Sequence, residues 1–229
     1  MSGQGKAVQA YDAIERMIVL REIEPGSLVS EATLMAKTGL GRTPVREALQ
    51  LLARNRMVEI HPSKGVLIPP TSVEEQLRML ELRRLLEAFA VGLACQRASR
   101  DDRQRLTAMA ERLTHGNFTL EEYADTVKGT HELIVTSAHN TYLADAIAPL
   151  QGLSRRFWLA HVIDVDKEIK AGAHLHTAIL RAILAGNAAR AEAASHQLND
   201  YLVEFSYATV HRWDTCAPEV PFRTGPIDA

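Results

Sequence analysis

The chain has 229 residues, 46% hydrophobic and 24% charged, the balance of an ordinary soluble globular protein. No apolar run reaches the ~18–20 residues that span a bilayer, and the first residues lack the apolar stretch of a secretory signal. Two cysteines, Cys95 and Cys216, exclude a disulfide scaffold and a local cysteine metal motif, so a cytoplasmic protein is expected. The net charge of −2 hides an asymmetry: residues 1–70 hold nine Lys/Arg against seven Asp/Glu, and residues 71–229 hold seventeen against twenty-one. The first segment is only mildly basic, so the placement of its charges must carry any nucleic-acid reading.

Tyr11, Ile14 and Ile18 fall at helical spacing and predict a first helix over 6–21. Glu24-Pro25-Gly26 is a turn signal. Ser30 can cap a short helix over 31–38 that stops at Gly39. A third helix is expected to open with Thr43 as N-cap and Pro44 as first helical residue and to run to about Asn55, with Val45, Ala48, Leu49 and Leu52 as its apolar stripe. The period then changes. Met57–Ile60 and Val66–Ile68 read as short strands around a turn at Pro62–Gly65. Three helices and a small hairpin make a winged helix-turn-helix, predicted over 1–70.

Pro69-Pro70-Thr71 marks a boundary. Ser72 with Glu75 forms an expected capping box for a long helix to about Arg97. Its stripe Leu77, Leu80, Arg84 and Leu85 reads as core. Further helices are expected over 100–114, 120–138, 140–148, 150–163, 166–185 and 188–212, with a second capping box at Thr119/Glu122 and a break at Pro149. The predicted fold class is mainly α: the winged module, then an all-helical unit over 71–213, then a loosely ordered tail over 214–229.

Drawn as a wheel, the third helix turns Thr43, Arg46, Glu47, Gln50 and Arg54 away from its apolar stripe, with Arg42 just before the first turn. Arginines there can reach phosphates or grip guanine O6 and N7, and free N–H groups of a first helical turn favour a phosphate. Lys64 and Gly65 at the hairpin tip suit a wing, Lys for charge and Gly for close approach. Glu47 is expected to pair within the module rather than read a base.

These residues carry a resemblance. Glu24-Pro25-Gly26-Ser27-Leu28-Val29-Ser30-Glu31, then Gly39-Leu40-Gly41-Arg42-Thr43-Pro44-Val45-Arg46-Glu47-Ala48-Leu49, then Leu52 and the wing, resemble the DNA-binding domain of GntR-family transcription regulators over residues 7–69. The resemblance implies that Arg42, Thr43, Arg46 and Gly65 approach double-stranded operator DNA. Two positions depart from it: Gly41 stands where the family has Ser or Thr, and Ala32 where many members have Arg.

The helical remainder resembles the FCD effector domain of the FadR-type branch, through Leu82-Arg83 with Glu87, His131 with Asn140, and His176 with Ile179, Ala182, Ile183 and Gly186. That implies a six- or seven-helix antiparallel bundle, a homodimer, and an internal pocket for a small-molecule effector. Many members bind a divalent metal there through an Asp and three His. Here His131 and His176 match, but Val127 and Leu198 replace the other two ligands, and Asp125 and His196 lie about 200° away around their helices. Zn, Ni or Mn at His131 and His176 is one expectation. A second is a metal-free wall in which Arg83, His131 and His176 bind a small acid, and a third is that both histidines are hydrogen-bonded core residues with no ligand. The expected function is a transcription regulator, most often a repressor, rather than an enzyme, and with no membrane partner. Two alternatives stand beside it: a DNA-binding dimer without effector, and a helical metal-dependent hydrolase using His131, His174, His176 and His196.

Overall fold

The computed structural model describes residues 3–216. Helix α1 (Gly3–Val19) buries Ala10, Ile14, Met17 and Ile18 along one stripe and ends two residues before the predicted point. Helix α2 (Glu31–Thr38) starts where the Ser30 hydroxyl accepts from the Thr33 N–H, and it closes at Gly39, whose φ of 67° is the left-handed cap that glycine adopts freely.

Helix α3 (Arg42–Arg54) begins earlier than expected. Gly41 is the N-cap, without a side-chain cap bond, so Thr43 lies inside the first turn and Pro44 is the third helical residue. Proline is tolerated there because the first intrahelical donor is the Val45 N–H, which bonds the Gly41 carbonyl at 3.3 Å. Val45, Ala48, Leu49 and Leu52 are buried as predicted, and α3 packs along α1.

The wing is a three-stranded antiparallel sheet in the order β1 (Leu28–Val29), β3 (Gly65–Leu67), β2 (Glu59–His61). Strand β1 was not predicted: two residues carry no alternation to read. Its Val29 lies opposite Val66. The first predicted strand is shifted, since Met57 and Val58 are buried core residues that precede β2.

Six helices follow among the described residues: α4 (Val73–Arg97), α5 (Arg100–His115), α6 (Leu120–Ser137), α7 (Thr141–His161), α8 (Val165–Leu184) and α9 (Ala188–Cys216). The Thr119/Glu122 capping box is present in full, and Ser99/Asp102 makes one that was not predicted. At Ser72 only the hydroxyl half is formed, accepting from the Glu75 N–H. The expected break at Pro149 does not occur, and α7 runs through it. The missing N–H deprives the carbonyl of Asp145, an exposed residue, while Leu143, Ile147 and Gln151 pin both halves of the helix by burial. Helix α9 takes in residues 214–216 of the expected tail; 217–229 lie outside the described residues. The mainly α architecture of a winged helix-turn-helix and a helical bundle is the predicted one.

Helix α4 lies along α9 and α7, and it turns polar residues inward. Gln76, Arg83 and Glu87 are buried with Leu80, while Leu82, Leu85 and Phe89 are 47%, 69% and 55% exposed. The predicted core stripe is therefore wrong at Leu85. One apolar cluster runs from α1 and α3 into the bundle, where α1 meets α7.

Candidate functional site

Two surfaces carry chemistry. The first is the N-terminal edge of α3. Arg42, Thr43, Arg46, Glu47 and Gln50 are all exposed there, opposite the buried stripe. The uncapped first turn leaves the N–H groups of Arg42 and Thr43 without intrahelical partners, so partial positive charge and two guanidinium groups share one edge. Arg46 Nε stands 3.5 Å from Glu31 Oε1 of α2, with both side chains exposed. Such a pair contributes about 0–1 kcal/mol and yields easily to a phosphate or base. Glu47, expected to pair within the module, makes no ion pair among the described residues; Glu31 does so instead. Lys64 is exposed at the wing tip. Gly65 is used inside the sheet: its φ is 126°, and a Cβ there would lie 2.8 Å from the Val29 carbonyl oxygen. The wing turn thus needs glycine for its own closure.

The second is a cavity of about 50 Å³ inside the bundle, with room for on the order of three waters. Helix α4 contributes Arg83, α6 contributes Tyr123, Val127 and His131, α8 contributes His176, and α9 contributes Leu198. The structure brings together the positions that the sequence singled out: His131 and His176, with Val127 and Leu198 beside them. Asp125 is not among them; it pairs with Arg16 of α1 at 3.3 Å. His174 is exposed on the far side of α8, and His196 does not line the cavity. Asn140 has a local role: its side chain caps α7, accepting from the Leu143 N–H.

The two imidazoles form a directed chain. His176 Nδ1 lies 2.7 Å from the Gly172 carbonyl, which can only accept, so this nitrogen carries the proton. Burial holds the pKa of both rings below the ordinary imidazole value; for His131, His176 and the Arg83 and Arg155 guanidinium groups add to that effect. A neutral His176 accepts at Nε2 from His131 Nε2, 3.1 Å away. His131 Nδ1 is then a buried lone pair without a partner among the described residues. Two imidazoles and two aliphatic side chains fall short of the three or more protein ligands that hold zinc, and no group of three His, Cys, Asp or Glu converges among the described residues. The donor set does not fit the metal expected from the resemblance.

The polar groups at the cavity include residues that the sequence reading missed. Arg83 is fully buried and already paired, with Nη2 2.7 Å from Glu87 Oε1, which also accepts from Gln151. Gln151, Ser154, Arg155 and Trp158 of α7 form one cavity wall at helical spacing. The Ser154-Arg155-Arg156 run inside an apolar stretch of the helix expected over 150–163 was their signal. Arg155 lines the cavity with its Nη2 bonded at 2.9 Å to Glu15 of α1.

An exposed cationic helix edge with a wing, joined to a helical bundle, is the architecture of a winged-helix DNA-binding regulator. Residues 6–68 match the gntR family of bacterial regulatory proteins, and residues 78–200 match the FCD domain. The chain belongs to the gntR family and carries an FCD domain. It is 24% identical over 200 residues to the HTH-type transcriptional repressor GlaR of Escherichia coli K12, covering 83% of this chain and 91% of that protein. Against the Bacillus subtilis regulator YdhC it is 26% identical over 152 residues, which spans 64% of this chain and 66% of that one. Escherichia coli McbR/YncC superposes with a TM-score of 0.76 at 18% identity, covering 92% of this chain and 99% of that structure, a likeness of fold. No helix among the described residues is long and apolar enough to cross a membrane.

Proposed function

We propose that the protein is an operator-binding transcription repressor, released from DNA by a small carboxylate held in the bundle cavity. Residues 1–70 read the duplex and residues 71–213 bind the acid and pair two chains. Arg42, Thr43, Arg46 and Gln50 enter the major groove, and Lys64 and Gly65 follow the adjoining backbone. The observation that carries this reading is the uncapped, exposed, doubly cationic first turn of α3. The name of the repressor GlaR supports the direction of control.

The cavity supports the effector. Arg83, Arg155, His131 and His176 supply its polar side, and Val127, Leu198 and Leu202 its apolar side, which suits a short-chain acid. A homodimer follows from the need to read two half-sites about one helical turn apart. The outward row of Leu82, Leu85 and Phe89 on α4 is the face we assign to the second copy. The test is selection of bound duplexes from a random pool, repeated with short-chain carboxylates. An imperfect palindrome, lost when an acid is added, is the expected result; no enrichment would overturn the reading. The small size of the cavity favours one other reading, a dimer without effector. Enrichment that no acid disturbs would support it.

A further inference from the structure

Arg155 belongs to two places at once. Its residue lines the bundle cavity, and its Nη2 donates to Glu15 Oε1 at 2.9 Å. Both side chains are more than nine-tenths buried. Glu15 sits on α1, the helix against which α3 packs, so it belongs to the DNA-reading unit. Its other carboxylate oxygen accepts from Lys128 Nζ of α6 at 2.8 Å, and Lys128 also reaches Asp12. Among the described residues Arg155 makes no other hydrogen bond. Gly152, one turn before Arg155, admits this contact: a Cβ there would come within 2.8 Å of both Glu15 Oε1 and Met57 Cε.

We infer that Arg155 is a shared cation, for which an anionic ligand in the cavity competes with the Glu15 carboxylate, so that occupancy loosens α1 and the recognition helix packed on it. The inference rests on the proposed binding of an acid in this cavity and specifies how that binding reaches the DNA-reading unit. A buried guanidinium needs an anionic partner. In the free protein Glu15 is that partner. A ligand carboxylate can replace it without leaving Arg155 uncompensated, while Lys128 keeps Glu15 neutralised at the margin. The docked state, with Arg155 engaged, therefore binds the acid less well than a state with α1 displaced. That difference in affinity is what a ligand needs in order to shift a conformational equilibrium.

The experiment uses the full chain and its Glu15→Gln variant. Acetate, propionate and lactate are titrated by calorimetry at fixed ionic strength, against chloride. The same acids are then added to each protein bound to its selected duplex. Gln keeps the shape and the hydrogen-bonding oxygen but not the charge. The carboxylates should bind Glu15→Gln about tenfold more tightly than the wild type, the step that 1.4 kcal/mol represents. They should release duplex from the wild type and not from the variant. Gly152→Ala, which crowds Glu15 without touching either charge, should shift both readouts in the same direction, and it serves if Glu15→Gln does not fold. Equal carboxylate affinity in all proteins, or equal release of duplex, would overturn the sharing of Arg155 and leave the effector reading intact. No carboxylate binding to any of the proteins would overturn both.

Discussion

Val127 and Leu198 decide what the cavity can coordinate. They line it beside His131 and His176 but offer only methyl groups. Val127→Asp with Leu198→His should therefore create a four-ligand site, and the purified double variant should carry about one Zn or Ni per chain by elemental analysis. A double variant that is folded and metal-free would show that the four positions do not converge closely enough. The imidazole pair has a second consequence. Burial keeps both rings neutral below the usual imidazole pKa, whereas the unfolded chain takes up protons near 6.5. Their contribution to stability is thus complete above that value and is lost as pH falls beneath it. The slope should be up to about 1.4 kcal/mol per pH unit for each ring. Urea denaturation between pH 4.5 and 7.5 measures it. His131→Asn should flatten the acid side of the curve, and an unchanged slope would contradict the assignment.

At the scale of elements, the wing rests on Gly65. With φ at 126° and the Val29 carbonyl in the way, Gly65→Ala should cost about 1–3 kcal/mol of stability, measured by denaturation, and should detach β1 from β3. Wild-type stability in that variant would show that the sheet closes differently. The recognition helix was legible because Val45, Ala48, Leu49 and Leu52 keep one period and Arg42, Arg46 and Gln50 keep the opposite one. Its start was misread by two residues, since proline fits any of the first helical positions. The unbroken α7 was not legible: Pro149 reads locally as a stop, and only the tertiary burial of Ile147 and Gln151 overrides it. Gln151, Ser154, Arg155 and Trp158 all fall within the helix expected over 150–163, but their spacing could not say that this face borders a cavity. Helix α4 misled for another reason. Both its faces carry leucine, so periodicity could not say which of them meets the core, and the buried Arg83–Glu87 pair took the inner one.

At the scale of the molecule, two contacts matter: the proposed one between copies and the one between the halves of each chain. Leu85 and Phe89 are too exposed to serve the fold of one chain, so Phe89→Asp should leave helicity intact and convert the proposed dimer to a monomer in sedimentation. A variant that remains dimeric would move the interface elsewhere. Glu15 of α1 and Arg155 of α7 join the winged module to the bundle across a shared apolar cluster. The proposed operator binding depends on the exposed edge of α3 entering the groove. The most direct test is equilibrium binding of the wild type and Arg46→Ala to the selected duplex and to single-base variants of it, across a salt titration. The variant should lose about 1–3 kcal/mol, together with discrimination at one base pair in each half-site. Equal affinity of the two proteins at every salt concentration would contradict the account.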